Sequence, residues 1–214
     1  MTAIKFCGIT RTDDARQAAR LGARFVGAIL TQSPRRVSAG AAREIYSAAG
    51  NGIAGVAVFR NEDIEEIVAL SNEAGARVIQ IHRRLTAAEL ARIRDQFDGQ
   101  IWTVLDVEPG REANAYTGRG ANADGVLIDA SRDGRSGGTG TALNWPSLAP
   151  IAATVRPGHT LIIAGGLTPE NVVDAISALE PDVVDVSSGV ESAPGMKDHS
   201  MMEAFARAVS SAQR

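Results

Sequence analysis

A rhythm constrains this chain more than any single motif. Eight short runs of β-forming apolar residues recur along its length: Ile4–Cys7, Phe25–Leu30, Ile53–Phe59, Val78–Ile81, Ile101–Leu105, Gly125–Ile128, Leu161–Ala164 and Val183–Val186. Each is nearly continuous in apolar side chains, as parallel strands are when both faces are covered. Segments of helical period lie between them. Val172, Ala175, Ile176 and Leu179 keep the i, i+3, i+4, i+7 spacing of one buried helix face. Eight strands alternating with helices predict a single (β/α)8 barrel over residues 1–214, an α/β fold near the lower end of barrel size. An open doubly wound sheet is the competing architecture, though it more often has five or six strands and one switch-point crevice.

The punctuation between runs agrees with this alternation. Thr168-Pro169-Glu170 predicts a hydroxyl cap, a proline at the first helical position and an acidic first turn. Thr86 followed by Glu89 predicts a capping box, and Ser38 is a candidate cap for the second helix. Gly22, Gly75 and Gly99 follow helical stretches where a left-handed terminal residue is wanted. The fifth helix is the weakest element, because Arg111–Ala121 is polar and has Gly118 and Gly120 near its end.

Charge and composition remove several classes of function. A net charge of −3 and a pI near 5.7 leave no basic footprint for nucleic acid. No run of eighteen apolar residues suggests a membrane span. MTAIKFCGIT reads as a first strand rather than as a signal peptide. The single cysteine cannot form an internal disulfide, which fits a reducing cytoplasm. The expectation is a cytoplasmic monomer acting on a small molecule, with neither nucleic acid nor membrane as partner.

In a barrel, chemistry belongs to the C-terminal ends of the strands and the loops that follow. Those positions carry Cys7-Gly8, the loop Thr31–Ser38 with Arg35 and Arg36, Arg60, His82, Asp106, Asp129, Gly165-Gly166, and Asp185 followed by Ser187-Ser188-Gly189. Polar groups thus gather at one rim after apolar runs. Three glycine-rich turns, SGGTG (136–140), AGGL (164–167) and SSGV (187–190), follow the sixth to eighth strands. Glycine lets backbone N–H groups approach an anion, and the last two loops of a barrel are a common phosphate site. The plainer reading is that these glycines merely permit tight turns.

Cys7 reads either as an inert core residue or as a thiol at the barrel mouth. As a base it needs nearby cations to stabilise the thiolate, and Lys5 should share its side of the strand. Asp129 reads as a loop acid, a helix cap or a general acid. Arg35 is either a solvated loop arginine or a planar fork for a carboxylate. His82 stands alone at a strand end, with His159 and His199 expected on turns, so no metal site is expected. Trp102 and Trp145 read as packing residues.

Taken together, KFCGIT, SPRRVS, VIQIH, GVLID, GGTG, AGGLTPENV and VDVSSGVESAPGMKD resemble the ordered signatures of the phosphoribosylanthranilate isomerase family of tryptophan biosynthesis, over residues 4 to about 198. The resemblance implies an aldose–ketose isomerase that performs an Amadori rearrangement without cofactor or metal. It implies Cys7 as the general base and Asp129 as the general acid. Arg35 would engage the anthranilate end, His82 and Asp185 would line the site, and backbone around Gly138, Gly165, Gly166, Ser188 and Gly189 would hold the phosphate. A related aminoaldose phosphate isomerase of histidine biosynthesis and a non-catalytic phosphosugar-binding barrel are the alternatives. The first would place paired aspartates where strand one here offers Cys7. The chain departs from the family pattern at Arg36, Arg83, Leu105, Thr141 and Asn144. Leu105 and Thr141 replace two cations expected near the mouth.

Overall fold

A computed structural model describes residues 1–107, 112–116, 118, 120, 122–130 and 145–212. Eight parallel strands close on themselves in chain order. They are β1 (Ala3–Phe6), β2 (Phe25–Ile29), β3 (Ala54–Phe59), β4 (Val78–Ile81), β5 (Gln100–Asp106), β6 (Gly125–Asp129), β7 (Thr160–Ala164) and β8 (Val183–Val186). Helices α1 (Thr12–Arg20), α2 (Ala39–Ala49), α3 (Ile64–Ala74), α4 (Ala87–Arg94), α5 (Ala149–Val155), α6 (Val172–Leu179) and α7 (His199–Ser211) accompany them. The seam is a four-residue parallel pairing of β1 with β8, from Ala3 opposite Val183 to Phe6 opposite Val186. A two-stranded antiparallel ribbon, β9 (Glu191–Ala193) and β10 (Met196–Lys197), follows β8.

Strand alternation divides the core into two shells. Val56, Val58, Trp102, Val104, Leu127, Ile162 and Cys7 pack inside the barrel. Their neighbours Phe59, Ile101, Val126, Ile128 and Ile163 point outward against the helices. Trp102 is fully buried, meets Phe25 edge-on at 4.8 Å and donates its indole N–H to Gln100 Oε1 at 3.1 Å. Burying a ring of that size removes roughly 200 Å² from water, worth about 5 kcal/mol before conformational entropy is subtracted. Trp145 is also buried, so both tryptophans serve packing.

The helix signals mostly hold. Thr86 and Glu89 form the reciprocal capping box, and Ser38 Oγ accepts from the Ala41 amide at 3.2 Å. Gly22 and Gly75 are left-handed, with φ of 74° and 68°. Gly99 is not; a Cβ there would strike the Arg77 carbonyl and the Phe97 ring, so close approach rather than φ demands glycine. Helix α6 starts at Val172, later than Pro169. Asn171 Oδ1 accepts from the Thr168 amide at 2.8 Å, and that local bond holds Pro169–Asn171 as a turn. Val172, Ala175, Ile176 and Leu179 are all buried on one face. Among the described residues between β5 and β6, only a 3₁₀ turn forms, Ala113–Tyr116, anchored by the buried Tyr116. His199 opens α7 rather than lying on a turn.

Candidate active site

The first strand brings two ionisable groups to the inner face. Cys7 belongs to the inner cluster, so Lys5, two residues earlier, shares that side. Gly27 on β2 makes room for both. Cys7 Sγ and Lys5 Cε lie 2.9 and 3.3 Å from where a Cβ of residue 27 would stand. Lys5 is fully buried, and its Nζ donates to Asp185 Oδ2 on β8 at 2.6 Å. The second oxygen, Asp185 Oδ1, is buried with no hydrogen-bond partner among the described residues.

A buried charge is costly unless paired, and the Lys5–Asp185 contact decides how this one is carried. Burial weakens the hold of Lys5 on its proton, but the charges and hydrogen bonds of Asp185 and Cys7 together exceed it, and the net shift is upward. Lys5 therefore stays charged. Cys7, 7% exposed, feels opposing influences. Burial pushes its thiol up and Asp185 adds to the rise; Lys5 and Lys197 offset only part of this, and the net shift is upward.

Across the barrel, Leu127 of β6 faces inward, so Asp129, two residues on, also faces inward at the strand's C-terminal end. Its charge is felt by His82 and by Asp185. His82 sits just past β4, mostly buried. Burial lowers it to about 4, despite the favourable Asp129 charge. Gln80 Nε2, an amide donor, lies 2.9 Å from His82 Nε2. That contact ties the Gln80 amide to one nitrogen of the neutral ring and makes Nδ1 the other hydrogen-bonding atom of His82.

A second ionic group closes the rim at the seam. Arg35, in the loop after β2, forks onto Glu191: Nε reaches Oε1 at 2.9 Å and Nη2 reaches Oε2 at 2.7 Å. Lys197 Nζ donates to Glu191 Oε1 at 2.8 Å and to the Ser187 carbonyl at 3.0 Å. Arg35 and Lys197 hold Glu191 below the usual carboxylate range, although partial burial works the other way. The Arg35 arm crosses Gly8, with Cδ 2.7 Å from the place of a Cβ, and Gly8 has φ of +70°. Glycine is required there twice over, by backbone and by space. A third knot binds the seam from outside: buried Asp14 accepts from Arg11 at 2.8 Å and pairs with His199 at 3.0 Å.

Gly165 and Gly166, with φ of 93° and 67°, end β7, and Ser188–Val190 forms a short 3₁₀ turn after β8. A Cβ on Gly189 would overlap the Leu167 carbonyl, so the two loops interlock. Gly138, Thr141 and Asn144 lie outside the described residues.

The structure thus brings Lys5, Cys7, His82, Asp129 and Asp185 onto the inner face of one barrel, with Arg35 at its rim. Glu191 and Lys197 were legible only as part of a motif. Their signal was the Pro194-Gly195 turn between two short extended pieces, which folds six-residue spacing into a hairpin. Two departures also read differently in three dimensions. Leu105 points outward into the helix layer, so its replacement of a lysine removes no charge from the barrel interior. Arg83 pairs with Glu89 of α4 at 2.8 Å. Arg36 is exposed.

No group of three or more His, Cys, Asp or Glu side chains among the described residues is arranged to hold a metal. None of the described helices is long and apolar enough to cross a membrane. A cavity of about 570 Å³ opens at the opposite, N-terminal rim, lined by Arg24, Arg77, Arg94, Asp98, Gln100 and Asp124 among others.

Comparison with known proteins gives a consistent result. The family model described as N-(5'-phosphoribosyl)anthranilate (PRA) isomerase matches residues 4–208. The N-(5'-phosphoribosyl)anthranilate isomerase of Rubrobacter xylanophilus is 38% identical over 214 residues, covering 99% of this chain and all of the relative. That of Pseudomonas fluorescens is 39% identical over 206 residues, 96% of this chain and 97% of its own. The phosphoribosyl anthranilate isomerase structure from Thermotoga maritima superposes with a TM-score of 0.86 at 30% identity, covering 99% of this chain and all of that one. A further isomerase structure, in complex with reduced 1-(o-carboxyphenylamino)-1-deoxyribulose 5-phosphate, gives 0.82 at 28% identity, covering 99% of this chain and all of that one.

Proposed function

The chain belongs to the N-(5'-phosphoribosyl)anthranilate isomerase family, and from that premise we propose that Cys7 and Asp129 carry the reaction as base and acid. The activity is the aldose–ketose isomerisation of N-(5'-phosphoribosyl)anthranilate to 1-(2-carboxyphenylamino)-1-deoxyribulose 5-phosphate in tryptophan biosynthesis. Asp129 gives its proton to the furanose ring oxygen as the C1–O bond breaks, and the nitrogen lone pair forms the C1=N iminium. The Cys7 thiolate takes the C2 proton, and that electron pair forms the C1=C2 bond of the enolamine while neutralising the iminium. The enolamine becomes the ketose when C1 gains a proton and the C2 hydroxyl loses one.

One observation supports these roles above the others: Lys5, its ammonium paired with Asp185 at 2.6 Å, shares the inner face with the only thiol. A cation in that place favours thiolate where burial alone would suppress it. Asp185 Oδ1, without a partner among the described residues, and the neutral His82 ring supply hydrogen-bonding groups for sugar hydroxyls. Arg35 takes the anthranilate carboxylate. Gly165, Gly166, Ser188 and Gly189, with Gly138, hold the phosphate through backbone amides. The enzyme works as a single-domain monomer in the cytoplasm, without nucleic acid or membrane.

The test follows the loss of substrate fluorescence in wild type, Cys7→Ser and Asp129→Asn. Each variant is expected to lose about a hundred- to ten-thousand-fold in kcat. Equal turnover by all three removes both assignments.

A further inference from the structure

We propose that Glu191 is a positioning residue for the substrate's aromatic carboxylate: it aims Arg35, and Lys197 in turn anchors Glu191. The inference rests on the reading that Arg35 takes that carboxylate.

An arginine on a loop has four rotatable side-chain bonds and loses affinity through every conformer that misses its ligand. Here the side chain is fixed along its length. Its aliphatic stem lies across Gly8, where a Cβ would meet Cδ at 2.7 Å. Its Nε and Nη2 are held by both oxygens of Glu191 at 2.7 to 3.1 Å. Among the described residues Nη1 has no hydrogen-bond partner, and its donors stay available to a second anion. Glu191 itself is 4% exposed and triply held, by Arg35, by Lys197 Nζ at 2.8 Å and by the Gly195 amide at 3.4 Å. Lys197, with a fully buried side chain, is tied in turn to the Ser187 carbonyl at the end of β8. The guanidinium is therefore referenced to the barrel wall, not to its own loop. A single buried carboxylate between two cations leaves the group one positive charge in excess, which suits an incoming anion.

Glu191→Gln keeps the shape and removes the charge that holds the fork. Glu191→Asp keeps the charge and withdraws it by one methylene, which preserves folding should the neutral variant lose stability. Both are measured for kcat and KM beside Arg35→Ala and the Glu191→Gln/Arg35→Ala double variant, with thermal midpoints recorded. Displacing a substrate clamp by about an ångström is expected to raise KM roughly tenfold or more while kcat changes less than about threefold. Arg35→Ala raises KM at least as far, and Glu191→Gln adds little once Arg35 is gone. Unchanged KM in both Glu191 variants, alongside a raised KM in Arg35→Ala, overturns the positioning role alone. So do losses that track the thermal midpoint and add to those of Arg35→Ala. An Arg35→Ala enzyme with wild-type KM overturns the carboxylate reading on which the role depends.

Discussion

The two rims of this barrel use the same residue types for different ends. At the N-terminal rim, Arg94 meets Asp124 at 2.6 Å with both side chains more than a third exposed, beside a polar cavity of about 570 Å³. Near the C-terminal rim, Lys5 meets Asp185 at the same 2.6 Å, yet the side chains are 0% and 6% exposed. Distance alone does not distinguish the pairs. Solvent does, because water screens the first far more than the second. A surface pair trims the shape of a rim, whereas a buried pair fixes the charge state of what surrounds it.

The contrast breaks most visibly at Lys5. Lys5→Met leaves the Asp185 carboxyl, which burial already pushes up, without its partner, and is expected to cost about 3–5 kcal/mol in urea unfolding. Pairing it with Asp185→Leu should restore most of that stability without restoring turnover. Recovery of both together would show that the pair serves folding alone. Acid gives the next effect. His82 is neutral in the fold down to about 4 but takes a proton below about 6.5 when unfolded. Between those values the folded chain binds fewer protons, so stability falls as pH drops from 6.5 to 4, by up to about 3 kcal/mol. His82→Asn should flatten that slope, which denaturation midpoints at pH 7 and 4.5 will test. Gly27→Ala comes third. Its methyl must displace the Cys7 sulfur or the Lys5 stem, at about 1–3 kcal/mol, with turnover falling further than stability. A variant with full activity would mean that the thiol has room to move. Smallest is Arg94→Ala at the other rim, expected within about 1 kcal/mol and without effect on KM. A larger loss there would erase the distinction between the rims.

The architecture was written locally, in strand-length apolar runs and in caps such as Thr86–Glu89, which depend on neighbours within a few residues. So was the inner face of β1, because period-two alternation places Lys5 with Cys7. Errors arose where a local rule met a tertiary competitor. The Thr168 hydroxyl does accept from the Glu170 amide at 3.3 Å, but Asn171 closes a turn on the Thr168 amide and the helix begins only at Val172. Leu105 looked like a lost cation at the mouth until its direction was known. The partner of Arg35 and the distant partner of Asp14 were illegible for a different reason. Glu191 lies 156 residues from Arg35, and His199 lies 185 from Asp14, separations that no periodic pattern encodes.

Those separations also set an order of assembly. Lys5 and Cys7 leave the ribosome some 180 residues ahead of Asp185, and Glu191, Lys197 and His199 come later still. Through most of synthesis the nascent chain holds a lysine and a thiol with nothing to cage them. Pairing of β1 with β8 supplies the cage, so Lys5 can meet Asp185 only after β8 has been made.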